Sequence, residues 1–141
     1  MRQTISFITL GVSDLPRSRA FYKALGWVES PASQPSVAFF QVGNIAFALF
    51  AREDLADDAG VSAVGSGFPS FALAHNVPNE NDVDRLIAEA VAAGGKLIKA
   101  GERAAWGGFR GYFADPDGFL WEVCHNPFFP LDENGHIVLP K

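Results

Sequence analysis

The feature that most constrains this chain is a weak internal repeat. Residues 8–26 (ITLGVSDLPRSRAFYKALG) and residues 72–95 (ALAHNVPNENDVDRLIAEAVAAGG) share one pattern. Each predicts a strand, a polar capping turn and an amphipathic helix that stops at a glycine, Gly26 or Gly94. In the first copy, Asp14 is the predicted cap and Pro16 lies in the opening turn. Neither copy is long enough to bury a sheet face alone, so we expect the two copies to pair.

Strand signals follow each predicted helix. In the first copy, VAFFQVG and NIAFALF are joined by Gly43–Asn44, a residue pair typical of a tight hairpin. In the second copy, LIKAG precedes RGYFA and FLWEV, which are joined by the turn sequence DPDG at residues 115–118. Both halves therefore predict the order β-α-β-β-β, and the fold class is α+β.

The repeat also predicts the domain organisation. We expect a single domain over residues 1–126, with module one at about 4–51 and module two at about 70–126. The Gly-, Ser- and Asp-rich stretch at about 52–69 is the predicted linker, with one short helical turn. The remaining residues, 127–141, form a C-terminal tail whose aromatic part packs back on the domain or covers a partner subunit.

Composition excludes several classes of function. Of the 141 residues, 48% are hydrophobic and the net charge is −5, without a Lys/Arg cluster, which argues against nucleic acid and anionic membranes as partners. The apolar stretch Ile45–Ala51 is far shorter than the ~20 residues of a membrane helix, and no signal peptide is evident. The single cysteine cannot form an internal disulfide, which fits a cytoplasmic location.

The sequence resembles the vicinal oxygen chelate superfamily, which includes glyoxalase I, bleomycin-resistance proteins and extradiol dioxygenases. Two segments carry the resemblance, LGVSDLPRSRAFYKALGW and GYFADPDGFLWEV, and it extends over about residues 4–126. It implies two modules side by side, with eight strands around an open, U-shaped cleft and helices outside. It also implies a homodimer, because many members pair modules across chains.

Metal-dependent members of that superfamily bind one divalent ion through four inward-facing positions. The resemblance maps these positions onto Phe7, Phe47, Ala72 and Glu122. Only Glu122 can donate a lone pair, whereas a divalent cation needs several N, O or S ligands. Shifting the mapping by one residue does not supply the missing donors. We therefore expect that the metal site is lost and that no cofactor is bound.

Strand alternation then predicts the cleft lining. If Glu122 points into the cleft, Tyr112 lies opposite it, and Phe40 lies opposite Phe47. The candidate ligand-binding residues are Phe7, Phe40, Phe47, Asn76, Trp106, Tyr112 and Glu122. Simpler roles remain open: the phenylalanines as core, Trp106 as a plug over the sheet edge, and Glu122 as a hydrogen-bond partner of Tyr112.

Two functions of different class fit these residues. The first is a cytoplasmic homodimer that binds a small, partly apolar molecule without a metal. The alternative is an enzyme of the same superfamily, a lyase, isomerase or dioxygenase. It would either depend on a metal or use Glu122 as acid or base while Tyr112 donates a hydrogen bond to a developing oxyanion.

Overall fold

The computed structural model describes residues 3, 5–69 and 71–139, and it confirms the α+β prediction. The chain divides into two compact units, Met1–Pro69 and Ser70–Lys141. The first unit contains β1 (Phe7–Val12), α1 (Leu15–Ala24), β2 (Val37–Val42), β3 (Ile45–Ala51) and α2 (Arg52–Ala59). The second contains β4 (Ala72–Asn76), α3 (Asn81–Ala92), β5 (Lys96–Arg103), β6 (Phe109–Ala114) and β7 (Leu120–His125).

The first unit is a three-stranded mixed sheet in the order β1-β3-β2. Strands β1 and β3 are parallel, and β2 and β3 form the predicted hairpin around Gly43, whose φ of +57° suits a glycine. Between α1 and β2, where the repeat predicts a further strand, isolated bridges join Glu29 to Phe40 and Gln34 to Val37. Pro31 and Pro35 lie in this stretch, and proline cannot donate to a strand ladder.

Helix α1 begins and ends where the sequence predicts. The Asp14 carboxylate accepts a hydrogen bond of 3.0 Å from the Arg17 amide, Pro16 lies in the first turn, and Gly26 follows with a φ of +88°. The helix buries Phe21 and Tyr22 completely against the sheet. The core of the first unit therefore lies between α1 and one face of its three strands.

Helix α2 occupies the first half of the predicted linker. Its eight residues extend the single turn expected at Glu53–Ala56. A Cβ on Gly11 would lie 3.3 Å from both the Arg52 Cα and the Leu55 Cδ2 atom. The absence of a side chain at Gly11 thus allows α2 to pack closely against the end of β1.

The second unit is a four-stranded sheet in the order β4-β7-β6-β5, covered on one face by α3. Strands β4 and β7 are parallel, and the other pairs are antiparallel. A Cβ on Gly111 would lie only 2.6 Å from the Ile87 Cδ1 atom, so glycine lets α3 approach β6 closely. On the same face, the Phe113 and Trp121 rings stack with centroids 6.1 Å apart.

The turn between β6 and β7 is held by the buried Asp115. Its carboxylate accepts hydrogen bonds from the amides of Asp117 (3.0 Å) and Phe119 (2.9 Å). Its carbonyl oxygen accepts a third from the amide of Gly118, which has a φ of +91°. These bonds stabilise the turn that aligns β6 with β7, and that alignment positions the candidate site.

The described part of the tail has local order of its own. A bridge joins Leu131 to Ile137, and the Asp132 carboxylate accepts hydrogen bonds from the amides of Asn134 (2.9 Å) and His136 (2.8 Å).

Within the described residues, no helix is long and apolar enough to cross a membrane.

Candidate functional site

The candidate site lies on the face of the second sheet that is opposite α3, which we call the site face. Along β7, Trp121 and Val123 are buried on the α3 side, so Glu122 and Cys124 project to the site face. Tyr112 pairs directly with Glu122, and Arg110 pairs with Cys124. The predicted register of this hairpin is therefore confirmed, including Tyr112 opposite Glu122.

The Tyr112 and Glu122 side chains face each other across the β6–β7 pair. Burial and the Glu122 charge raise the pKa of Tyr112 above its ordinary value, while the Arg110 charge opposes the shift. The phenol therefore stays protonated at neutral pH. The pair presents one aromatic ring and one carboxylate on the site face.

Charged side chains extend this pair along the site face. Arg110 donates to the Glu102 carboxylate at 2.9 Å, and the Lys99 ammonium lies 2.6 Å from the same oxygen. Hydrogen bonds from Lys99 and Arg110 hold the pKa of Glu102 below its ordinary value. Arg110 was not among the residues predicted from the sequence, although it precedes Tyr112 by two positions and therefore shares its face.

Cys124 is the second polar group on this face of β7, after Glu122. Burial and the Glu122 charge raise the pKa of the thiol to about 11, which outweighs the opposing effect of Arg110. At neutral pH the thiol is therefore protonated. It is a packing group beside the Tyr112–Glu122 pair and not a nucleophile.

Asn76 and Trp106 occupy other parts of the second unit. Asn76 pairs with Cys124 at the end of β4 and lines a cavity beside the tail. Trp106 lies half-exposed in the loop between β5 and β6, where its ring covers Gly108. The structure brings Tyr112 and Glu122 together, with Asn76 at the edge of their face and Trp106 in a separate loop.

On the first sheet, Phe7 lies on the face opposite α1. It is 56% exposed, and its ring makes an edge contact with Phe39 at a centroid distance of 6.0 Å. Its neighbours on this face are small, since Phe7 pairs with Ala46 and Thr9 pairs with Ala48.

The prediction that Phe40 and Phe47 share this face with Phe7 is wrong. They pair with each other as expected, but they are only 1% and 2% exposed. The Phe47 ring lies 5.0 Å from Tyr22 and 5.2 Å from Trp27, and Phe40 contacts the same two rings. Both phenylalanines thus belong to the core beneath α1.

Loop length explains this error. The first hairpin has a two-residue loop, and the pair that closes it, Val42 and Ile45, lies on the same face as Phe40 and Phe47. The second hairpin has a five-residue loop, and its closing pair, Ala114 and Leu120, lies on the site face. Counting four residues from the hairpin glycine therefore reaches opposite faces in the two modules.

The parallel strand pairs give a better correspondence between the modules. In the first unit Phe7 pairs with Ala46, and in the second unit Ala72 pairs with Leu120. Ala46 therefore corresponds to Leu120. Two residues further along each strand, Ala48 corresponds to Glu122. In the described ranges, no three His, Cys, Asp or Glu side chains group closely enough to hold a metal ion.

Comparisons with known proteins agree with this architecture. The family model described as the glyoxalase/bleomycin resistance protein/dioxygenase superfamily matches residues 4–123. The chain belongs to this superfamily. A glyoxalase-related enzyme from Fulvimarina pelagi is 38% identical, with a TM-score of 0.90 over 99% of this chain and all of that one. A comparison with curated protein sequences finds no match.

More distant superfamily structures share the fold. A glyoxalase/bleomycin resistance protein/dioxygenase family enzyme from Burkholderia phytofirmans is 25% identical, with a TM-score of 0.75 over 85% of this chain and 96% of that one. A lactoylglutathione lyase from Agrobacterium tumefaciens is 20% identical, with a TM-score of 0.67 over 89% and 96%. The last likeness shows the fold alone.

Proposed function

We propose that this superfamily member binds a small, partly apolar molecule on the site face without using a metal. The observation that carries the proposal is the Tyr112–Glu122 pair, a phenol and a carboxylate that lie opposite each other and are flanked by alanine on β4. Such a surface offers an aromatic ring for apolar contact and a carboxylate oxygen for a hydrogen-bond donor.

The donor set at the superfamily's four metal positions does not fit a divalent ion. With the correspondence that the strand pairs provide, these positions hold Phe7, Ala48, Ala72 and Glu122. The first three side chains have no lone pair, and one carboxylate does not replace several N, O or S ligands. The proposal therefore includes no step through a metal.

The charges of the site face favour a ligand with a hydrogen-bond donor. Glu122 can accept from a hydroxyl or amine, whereas the Arg110 guanidinium is held by Glu102. Asn76 and Trp106, in the same unit, stay candidate contacts in this proposal, whereas Phe40 and Phe47 do not, because they are buried beneath α1.

The test is a thermal-shift and calorimetric screen of small aromatic alcohols and amines. Tyr112→Phe removes only the hydroxyl, and Glu122→Gln removes the charge but keeps the shape. We expect a compound that binds the wild type to bind Glu122→Gln at least about tenfold more weakly, since a hydrogen bond to a charged group is lost. Glu133→Gln, on the exposed tail turn, is the matched control and should bind like the wild type. Equal affinity for Glu122→Gln would contradict the proposal.

Acid–base catalysis without a metal is the second candidate function, and the same pair of side chains favours it. A carboxylate beside a protonated phenol can take a proton from a substrate while the phenol stabilises developing negative charge. In that case Glu122→Gln would abolish turnover and leave substrate binding measurable. A binding protein would show no turnover in either form.

We further propose a homodimer in the cytoplasm. Several large apolar side chains of the tail are exposed: Phe128, Ile137, Val138 and Leu139. Surfaces of this kind often form subunit contacts, and the one free thiol suits a reducing compartment. Light scattering at micromolar concentration should give twice the chain mass of 15.2 kDa; the mass of one chain would refute the dimer.

A further inference from the structure

A separate cavity lies in the second unit, between the ends of β4 and β7 and the first part of the tail. Its volume is ≈ 250 Å³. Phe129, Leu131 and three prolines supply most of its apolar lining, while Asn76, His125 and Asn126 supply polar groups. Rings and short side chains thus line a space, partly open to solvent, that the strand ends and the tail form together.

The polar groups of the lining have defined hydrogen-bonding roles. The His125 Nδ1 atom lies 3.3 Å from the Val77 carbonyl oxygen, which can only accept, so Nδ1 carries the hydrogen. In the neutral ring, Nε2 is then an acceptor. The Asn126 Oδ1 atom accepts from the Phe128 amide at 2.9 Å, which leaves the side-chain NH₂ as a donor. The lining therefore combines an acceptor with a donor.

The lining also selects for charge and size. Of the described residues that line the cavity, none is Asp, Glu, Lys or Arg, so a charged ligand would lose its hydration without gaining an ionic partner. A cavity of about 150 Å³ suffices for benzene. The ≈ 250 Å³ found here has room for one ring and a small polar substituent.

We propose that this cavity is a second ligand site, which takes a neutral single-ring aromatic compound whose substituent both donates and accepts a hydrogen bond. The substituent donates to His125 Nε2 and accepts from the Asn126 amide, while the ring packs against Phe129, Leu131 and the prolines. A carboxamide has this pair of functions. The lining shares Asn76 with the surface proposed above but includes neither Tyr112 nor Glu122, so the proposal does not depend on that function.

Benzamide is the probe, titrated into the full-length ¹⁵N-labelled protein. We expect saturable amide shifts centred on residues 125–131 and weak or absent shifts at Tyr112. Benzoate, which has the same ring but carries a charge at neutral pH, should bind at least about tenfold more weakly. Shifts centred on Tyr112 and Glu122, or no saturable shift at all, would overturn the proposal.

Three variants test the geometry. Leu131→Trp fills the cavity and should weaken benzamide binding at least about tenfold, whereas Leu97→Trp makes the same change at a half-exposed position of β5 outside it and should have no effect. Asn126→Asp keeps the oxygen that accepts from Phe128 but removes the NH₂ donor, and should weaken binding about fivefold. If Leu131→Trp unfolds the tail, Asn126→Asp still tests the proposal. Unchanged affinity of Asn126→Asp for benzamide would refute the proposed hydrogen bond from the Asn126 amide.

Discussion

Tyr112 lies directly opposite Glu122 in the β6–β7 pair, so a phenol and a carboxylate face each other on the site face. The turn at residues 115–118 sets the register that places these two groups side by side. Glu122 is the one donor that this chain keeps at the superfamily's four metal positions, and it lies beside a phenol.

The first prediction concerns the titration of Tyr112. Its pKa is raised above the ordinary 10.0, mainly by burial and then by Glu122. Glu122→Gln should therefore lower the pKa of Tyr112, which ultraviolet absorbance of the tyrosinate would show, with Tyr112→Phe identifying the signal. Because the pKa of Tyr112 is higher in the folded chain than in the unfolded chain, its protonated phenol stabilises the fold fully below the unfolded-state pKa. This stabilisation is lost as the pH rises through the folded-state pKa. Above pH 10.0, the free energy of unfolding should therefore fall less steeply in Tyr112→Phe than in the wild type. An equally steep fall in both proteins would argue against the raised pKa.

The second prediction separates the two kinds of phenylalanine on the first sheet. Phe47→Ala should lower the free energy of unfolding by about 3–5 kcal/mol, since it empties a site beneath α1. Phe7→Ala should cost less than about 1 kcal/mol, because more than half of that side chain is exposed. Urea denaturation monitored by circular dichroism measures both. A larger loss at Phe7 would contradict the assignment of faces.

The third prediction concerns the turn that aligns β6 with β7. Asp115→Ala removes the acceptor of two amide hydrogen bonds and leaves buried donors unpaired, so it should destabilise the chain by about 1–3 kcal/mol. Asp115→Asn keeps an acceptor oxygen and should recover part of the loss. If the two variants lose the same free energy of unfolding, the stabilising effect of Asp115 does not come from these hydrogen bonds.

The fourth prediction concerns metal content. Protein purified without a chelator or a His-tag, then dialysed against Ni, Zn, Mn or Fe(II), should retain far less than one ion per chain by elemental mass spectrometry. Stoichiometric metal that is lost in Glu122→Ala and kept in Glu133→Ala would contradict the proposed function. Chelator treatment should also leave the thermal midpoint unchanged.

Much of the fold follows from local sequence. The cap at Asp14, the stop at Gly26 and the Gly43–Asn44 hairpin all have strong short-range signals, and each lies where the sequence predicts. Between α1 and β2 the repeat predicts a strand, but the structure has only isolated bridges, because Pro31 and Pro35 interrupt the segment. Helix α2 is longer than the single turn predicted, and its packing against Gly11 joins residues far apart in sequence.

The candidate site was predicted in part. The pairing of Tyr112 with Glu122 follows from counting outward from one turn, so the sequence by itself determined it. Which face Phe40 and Phe47 occupy was decided only by the tertiary structure. Alternation along a strand specifies two faces but not which of them meets the helix, and that choice depends on how β3 pairs with β1 and on where α1 packs. Alternation along β6 is enough to place Arg110 on the face of Tyr112, whereas the cavity beside His125 depends on contacts between segments distant in sequence, which local patterns do not encode.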